Sequence, residues 1–114
     1  MYGRIKILQP VGLGNFVGPL AHIGPGAYVG FFNIINTSAN LEHEVALGSF
    51  INVGPGAVVC GRCSIENNVF IGAGAIVIEN VSVTKRVLIG AGTVVVKNID
   101  VENARILGVP GRQQ

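Results

Sequence analysis

Ile71-Gly72-Ala73-Gly74-Ala75-Ile76-Val77, continued by Ile78-Glu79-Asn80-Val81-Ser82-Val83, places an aliphatic residue at every sixth position. The same spacing runs back through Ile65, Val59, Val53, Leu47, Leu41, Ile35, Val29, Ile23, Val17 and Val11 to Ile5. It runs forward through Ile89 and Val95 to Val101. All seventeen positions are Ile, Leu or Val, with no residue inserted or lost between them. Self-similarity at a fixed short period marks a repeat architecture. Six residues are too few for a pair of helices and do not match a 3.6-residue period. They suit a short strand and a tight turn, with Gly and Asn expected to supply the turn conformations. The residue after each aliphatic position is often Gly, at 12, 18, 24, 30, 48, 54, 72 and 90. Three hexads then make one triangular coil, and residues i and i+18 stack at ~4.8 Å on successive coils. The expectation is an all-β parallel β-helix, a triangular prism of nearly six coils over residues 1–102. Residues 103–114 are expected as a C-terminal tail.

Composition narrows the classes that such a prism can serve. The chain has 114 residues, of which 12% are charged, and its net charge of +2 is spread without a basic stripe. That argues against nucleic acid as a partner. Apolar runs are short and broken by Gly, so no membrane span is expected. Residues 1–4 lead straight into the repeat with no apolar leader segment, and two cysteines make no disulfide framework. A cytoplasmic protein is the expectation.

Reading the chain in steps of eighteen converts sequence into columns. One inward column is Ala21, Ala39, Ala57, Ala75 and Thr93, the small residues a narrow prism needs. Another sets Asn15 above Asn33, read as a buried amide ladder. Outside, the third face carries Phe16, Ile34, Asn52, Phe70 and Leu88, and the first carries Val58, Ile76, Ile78, Val94 and Val96. The second face is polar, with Ser64, Glu66, Ser82, Thr84, Asp100 and Glu102 beside Tyr28 and Ala46. Large apolar faces left outside mark an interface. A homotrimer with its axis near the edge shared by the first and third faces would bury both.

One of only two histidines, His43, stands between Glu42 and Glu44 in a chain poor in charge. Pro25 precedes it in its column and Gly61 follows, so a glycine one coil on leaves open space and an available N–H. Lys6, His22, Asn40 and Glu42 make the surroundings polar. Glu44 stacks over Arg62, so an ion pair there is expected to compete with a Glu44–His43 contact. An outward histidine beside a carboxylate is a candidate general base.

The hexads, Asn36-Thr37-Ser38-Ala39, Glu42-His43-Glu44 and the ending Gly108-Val109-Pro110-Gly111-Arg112 resemble the hexapeptide-repeat acyltransferases. The resemblance is closest to the sialic-acid and bacillosamine-type sugar O- and N-acetyltransferases. It implies a left-handed coil, a trimer, and acetyl-CoA as co-substrate in the groove between adjacent prisms. By position it makes His43 the base, Glu44 its partner and Asn36 a polar neighbour. It aims the Gly61 N–H at the thioester carbonyl and lines the CoA groove with Asn52, Ala73 and Ala91. Direct acetyl transfer to a hydroxyl or amine of a small acceptor, a sugar, follows, with no metal. Two departures stand out. The small α/β domain that usually opens this branch has no counterpart here, and Asn52 occupies a position where the family often has a second histidine.

The remaining motifs carry less. Cys60-Gly61-Arg62-Cys63 is a lone C-x-x-C with Cys63 turned inward and no second pair, a poor zinc or redox site. Prisms of the γ-carbonic-anhydrase type need three histidines, and ice-binding prisms need ranks of outward Thr. Lys85-Arg86 reads as a solvated turn and Arg112 as part of a frayed tail, with contact to a CoA phosphate as the alternative. The rival class is a non-catalytic assembly or ligand-binding prism with a vestigial CoA groove.

Overall fold

The computed structural model describes residues 11–114, so the hexad at Ile5, Lys6 and residues 1–4 lie outside the described residues. From Phe16–Val17 to Val94–Val95, fourteen two-residue strands follow one another at six-residue intervals. They sort into three parallel sheets, each strand as far as Ile76–Val77 paired with the one eighteen residues on, and Leu88–Ile89 with Arg105 and Ile106 seventeen residues on. The third face runs Phe16–Val17, Ile34–Ile35, Asn52–Val53, Phe70–Ile71, Leu88–Ile89 and Arg105–Leu107. The first is His22–Ile23, Asn40–Leu41, Val58–Val59, Ile76–Val77 and Val94–Val95, and the second Tyr28–Val29, Ala46–Leu47, Ser64–Ile65 and Ser82–Val83. This is the expected left-handed parallel β-helix, with about five turns in the described residues.

Within each strand the first residue faces out and the second faces in. Ile35, Leu41, Leu47, Val53, Val59, Ile71 and Ile89 are each 0% exposed. Burying such a side chain is worth roughly 1.5–3 kcal/mol. The inward alanines 21, 39, 57 and 75 complete the core at one corner, while Val45, Ile51, Val69 and Val87 fill the equivalent inward places at the other two. The amide ladder is present. Asn15 Oδ1 accepts from the Asn33 N–H and Asn33 Oδ1 from the Ile51 N–H, both at 2.8 Å. Asn33 Nδ2 donates to the Gly48 carbonyl at 2.9 Å, so a side chain 1% exposed is hydrogen-bonded on both its ends.

The turns correct one expectation. Every sixth residue from 14 to 92 has a positive φ, between 57° and 77°, three places after each inward aliphatic. Gly and Asn hold some of these positions, but Leu20, Phe32, Ser38, Glu44, Phe50, Arg62 and Arg86 hold the others. The glycines placed directly after the inward aliphatics answer to a different constraint. A Cβ on Gly72 would stand 2.5 Å from the Ala91 nitrogen on the next coil. Close approach of backbones, not left-handed φ, requires glycine there.

The register also departs near the end. Val101 is 46% exposed, and Ile99 takes the inward place beside Val83. The last turn is shorter, with Asn98 Oδ1 accepting from the Ser82 N–H at 2.8 Å, and the larger apolar gain falls to Ile99. Beyond it, Arg105–Leu107 joins the third face and Arg112–Gln113 folds back antiparallel on it. Arg112 is therefore not in a frayed tail: residues 103–114 carry both of these strands. Lys85 and Arg86 are likewise not a bare solvated turn, since both pair with Glu102, Lys85 at 3.7 Å.

Candidate functional site

The turns at the corners present two residues per hexad, and the first of them gives the ladder its carbonyl but not its N–H, as where the Gly92 N–H donates to the Ala73 carbonyl at 2.9 Å. At the corner between third and first faces, the Ala75 N–H donates to the Gly72 carbonyl at 3.2 Å, closing a turn over Ala73 and Gly74. Proline occupies the first exposed place at 19, 25 and 55, where its missing N–H costs no ladder bond. At the corner between second and third faces Ser49 Oγ and Asn67 Oδ1 accept from the Phe31 and Ser49 N–H groups, both at 2.9 Å, whereas at the two corners flanking the first face the chemistry collects.

His43 takes that place at the corner between first and second faces. Its Nδ1 lies 3.3 Å from Glu44 Oε1. A carboxylate only accepts, so this contact is a hydrogen bond in the tautomer that carries the hydrogen on Nδ1, which leaves the Nε2 lone pair of the neutral ring free. Arg62 Nε reaches the same Glu44 oxygen at 3.1 Å. The expected competition is thus a shared acceptor: Arg62 holds the carboxylate that orients the ring. Glu44 has a φ of 59°, which turns its side chain back toward its neighbour.

The ring leans one coil along, onto Gly61. A Cβ at Gly61 would overlap Nε2 and Cε1 of His43, so only glycine leaves the imidazole in this position. No positive φ is involved at Gly61. Among the described residues its N–H has no hydrogen-bond acceptor, whereas the Arg62 N–H donates to the His43 carbonyl at 3.0 Å. A cleft of about 220 Å³ opens here, lined by Glu42, His43, Cys60, Gly61 and Glu79. Asn40 Nδ2 donates to Glu42 Oε2 at 2.6 Å and fixes that carboxylate at the rim. Burial, then the negative charges of Glu42 and Glu79, raise the Cys60 thiol above its ordinary range. Cys63 is buried and raised as well, mainly by burial, and its Sγ donates to the Ile78 carbonyl at 2.9 Å.

The other expected site residues lie elsewhere. Ala73 and Ala91 are exposed at the corner between third and first faces, and neither N–H has an acceptor among the described residues. Asn36 opens the turn two coils before Ala73, its Oδ1 accepting from the Thr37 N–H at 2.7 Å. Asn52 is half-buried on the third face between Ile34 and Phe70. Within one chain, then, His43, Glu44 and Gly61 come together, and the full width of the first face separates them from Ala73 and Ala91. His22 sits outward on the first face, opposite Asn40, outside the cleft. Sequence reasoning passed over Glu79 and did not connect Cys60 with His43. The columns 43–61–79 and 42–60 carry that signal when followed one coil further.

Among the described residues no helix is long and apolar enough to cross a membrane, and no cluster of three or more His, Cys, Asp or Glu could hold a metal ion. Residues 62–97 match the model of the bacterial transferase hexapeptide (six repeats). Comparison by sequence with curated proteins returns no significant match. Among solved structures, the chain is similar to GDP-perosamine N-acetyltransferase from Caulobacter crescentus. A histidine-to-alanine variant of that enzyme is in complex with CoA and GDP-perosamine; identity is 28% and TM-score 0.95, over 99% of this chain and 53% of that one. The acetyltransferase domain of PglB from Neisseria gonorrhoeae, in complex with acetyl coenzyme A, is 26% identical with a TM-score of 0.83, over 91% and 54% of the two chains. A hexapeptide-repeat acetyltransferase from Vibrio cholerae, at 18% identity and a TM-score of 0.82, shares the fold. The chain thus spans about half the length of the first two, and it resembles the sugar N-acetyltransferases in both repeat and fold.

Proposed function

We propose that this chain is an acetyl-CoA-dependent acetyltransferase that acetylates a hydroxyl or amine of a small acceptor, a sugar. The observation that carries the reading is the His43 imidazole, its Nδ1 on Glu44 Oε1 and its Nε2 side lying over Gly61 in an open cleft. In the mechanism, Nε2 takes the acceptor's proton as its oxygen or nitrogen attacks the thioester carbonyl. Glu44 stabilises the imidazolium, and the proton returns to the sulfur as the C–S bond breaks. The Gly61 N–H, which has no acceptor among the described residues, is the donor for the developing oxyanion.

The donor side rests on the other corner. Ala73 and Ala91 are small, exposed and one coil apart, each with an uncommitted N–H, which fits an extended chain of amides such as the pantetheine arm of CoA. Asn36 and Asn52 add polar contacts nearby. Since His43 and these residues lie on different corners of one prism, a groove using both needs a second copy. A homotrimer in which the apolar first face of one prism meets the third face of the next lines such a groove with two chains. Exposed Phe16, Phe70, Ile76 and Leu88 support those faces as interfaces. The reading includes a cytoplasmic location, where acetyl-CoA is available, and no bound metal.

Calorimetric titration of the full chain with CoA, run beside light scattering, tests the reading. A trimer binding one CoA per chain is the expected result. A stable monomer at micromolar concentration, or a trimer that binds no CoA, would leave the non-catalytic prism as the better description.

A further inference from the structure

The contacts of His43 close into a ring. The Arg62 N–H donates to the His43 carbonyl at 3.0 Å, and Arg62 Nε reaches Glu44 Oε1 at 3.1 Å. That same oxygen lies 3.3 Å from His43 Nδ1. One link runs through the backbone and two through side chains. Removing the guanidinium therefore breaks a side-chain link and leaves the coil's own hydrogen bond in place.

The column that holds Glu44 and Arg62 shows that the turn does not ask for this pair. It reads Gly26, Glu44, Arg62 and Asn80, all four at positive φ. Gly and Asn tolerate that conformation, whereas most side chains are strained in it. Two long side chains of opposite charge thus hold consecutive turns where the backbone least favours them, directly beside the histidine of the cleft. Another exposed pair, Arg86 with Glu102, starts from the same place in a turn at the corner between second and third faces. Neither histidine of the chain lies at that corner, so Arg86 is a reference for what an exposed ion pair does by itself.

The Glu44 side chain is 56% exposed. A carboxylate that open to water is poorly held by one contact, because an exposed pair gains little against the entropy of fixing two side chains. Arg62 supplies a second contact to the same oxygen. Its guanidinium is permanently charged and only donates, so it holds Glu44 without competing for the hydrogen on Nδ1. In a histidine with no such partner the hydrogen sits mainly on Nε2, and the hydrogen bond made by one ring nitrogen decides which of the two carries it. Glu44 fixed at Nδ1 draws the hydrogen there and leaves Nε2 with a lone pair.

We infer that Arg62 is a positioning residue: by holding Glu44 Oε1 it keeps His43 in the Nδ1–H tautomer, with Nε2 free to accept a proton. The consequence for catalysis rests on the acetyltransferase reading, since a ring in the other tautomer would present a donor where the reaction needs a base. The tautomer itself is observable without turnover.

The test uses the full chain, isotopically labelled at the imidazole nitrogens, as the unsubstituted protein and as Arg62→Met, Arg62→Lys and Arg86→Met. His43→Ala identifies which signals belong to His43. At alkaline pH, where an ordinary imidazole is neutral, the nitrogen shifts report which ring atom is protonated. The unsubstituted chain should show Nδ1 protonated. Arg62→Met should move the population toward Nε2–H, Arg62→Lys should fall between, and Arg86→Met should match the unsubstituted chain. With acetyl-CoA, and glucosamine and methyl glucoside as probe acceptors, Arg62→Met should lower kcat about fivefold, the upper range for an exposed pair, with KM for acetyl-CoA unchanged. A tautomer unaltered by Arg62→Met, an equal change in Arg86→Met, or a shifted tautomer with unaltered kcat overturns the inference. If the unsubstituted chain acetylates neither probe, the tautomer decides alone. A shift confined to the Arg62 variants then upholds the positioning of the ring, and the transferase reading is judged separately by the CoA titration; no shift overturns the inference.

Discussion

Two corners of this prism share one backbone and differ in what they carry. At the corner between third and first faces, the first exposed place of successive turns reads Pro19, Thr37, Pro55, Ala73, Ala91. At the corner between first and second faces it reads Pro25, His43, Gly61, Glu79, Lys97. Turn conformation is alike, with positive φ at Ser38, Gly56 and Gly74 in one and at Glu44, Arg62 and Asn80 in the other. Ladder bonds are alike too: the Gly72 N–H donates to Ile89 at 2.8 Å and the Cys60 N–H to Val77 at 2.9 Å. The inner residues are equally dry. The difference teaches that at these two corners folding uses the carbonyl of this place and leaves its side chain unconstrained. Its side chain points out and its N–H belongs to no sheet, so one corner stays small and uniform while the other collects a base, a notch and an acid.

Substituting the base should break the comparison most severely. His43→Ala makes the two corners chemically equivalent, and acetyl transfer should fall by roughly 10²–10⁴-fold, the usual worth of a positioned general base. CoA affinity by calorimetry should hardly move. His22→Ala, one strand away and outside the cleft, is the internal control. Equal turnover in both variants would take His43 out of the mechanism.

A smaller loss is expected from filling the notch. Gly61→Val puts atoms where the His43 ring now lies, and the ring, half-exposed, can swing out without disturbing the coil. No backbone strain is added because φ at Gly61 is not left-handed, and Val suits an extended segment. Transfer should drop by about 10²-fold with the melting temperature held, since a displaced base is of little use. A lower melting temperature with transfer retained would mean that Gly61 serves the coil alone.

Least change is expected at Cys60. Burial and the charges of Glu42 and Glu79 keep its thiol protonated near neutral pH, so it is a poor nucleophile despite lying beside a histidine. Cys60→Ser should leave turnover within about twofold, in keeping with direct transfer. Loss of activity with a trapped acetyl group on the unsubstituted chain, seen by mass spectrometry, would replace direct transfer with a covalent route.

What was legible in the sequence follows from what the repeat encodes. A strict six-residue spacing of Ile, Leu and Val determines the strands, their inward residues and the eighteen-residue stacking, because only that spacing returns an aliphatic side chain to the axis at each wall. From stacking alone came the pairing of His43 with Gly61 and of Glu44 with Arg62. The left-handed turn residues were not legible, since Leu20, Phe32 and Phe50 occupy them as Gly does and local propensity does not forecast so costly a choice. Val101 was misplaced for a related reason: spacing knows the period, and only packing against Val83 decides that Ile99 turns in and Val101 out. Sequence likewise could not decide how Glu44 divides itself. One oxygen serves both His43 Nδ1 and Arg62 Nε because the coil spacing brings all three within hydrogen-bonding reach. Periodicity thus determined the scaffold and the columns, which depend on a regular backbone. Tertiary structure decided the contact of His43 Nδ1 with Glu44, the placing of its ring over Gly61 and the meeting of Glu42, Cys60 and Glu79 in one cleft, which depend on how side chains of successive coils lean across the gap between them.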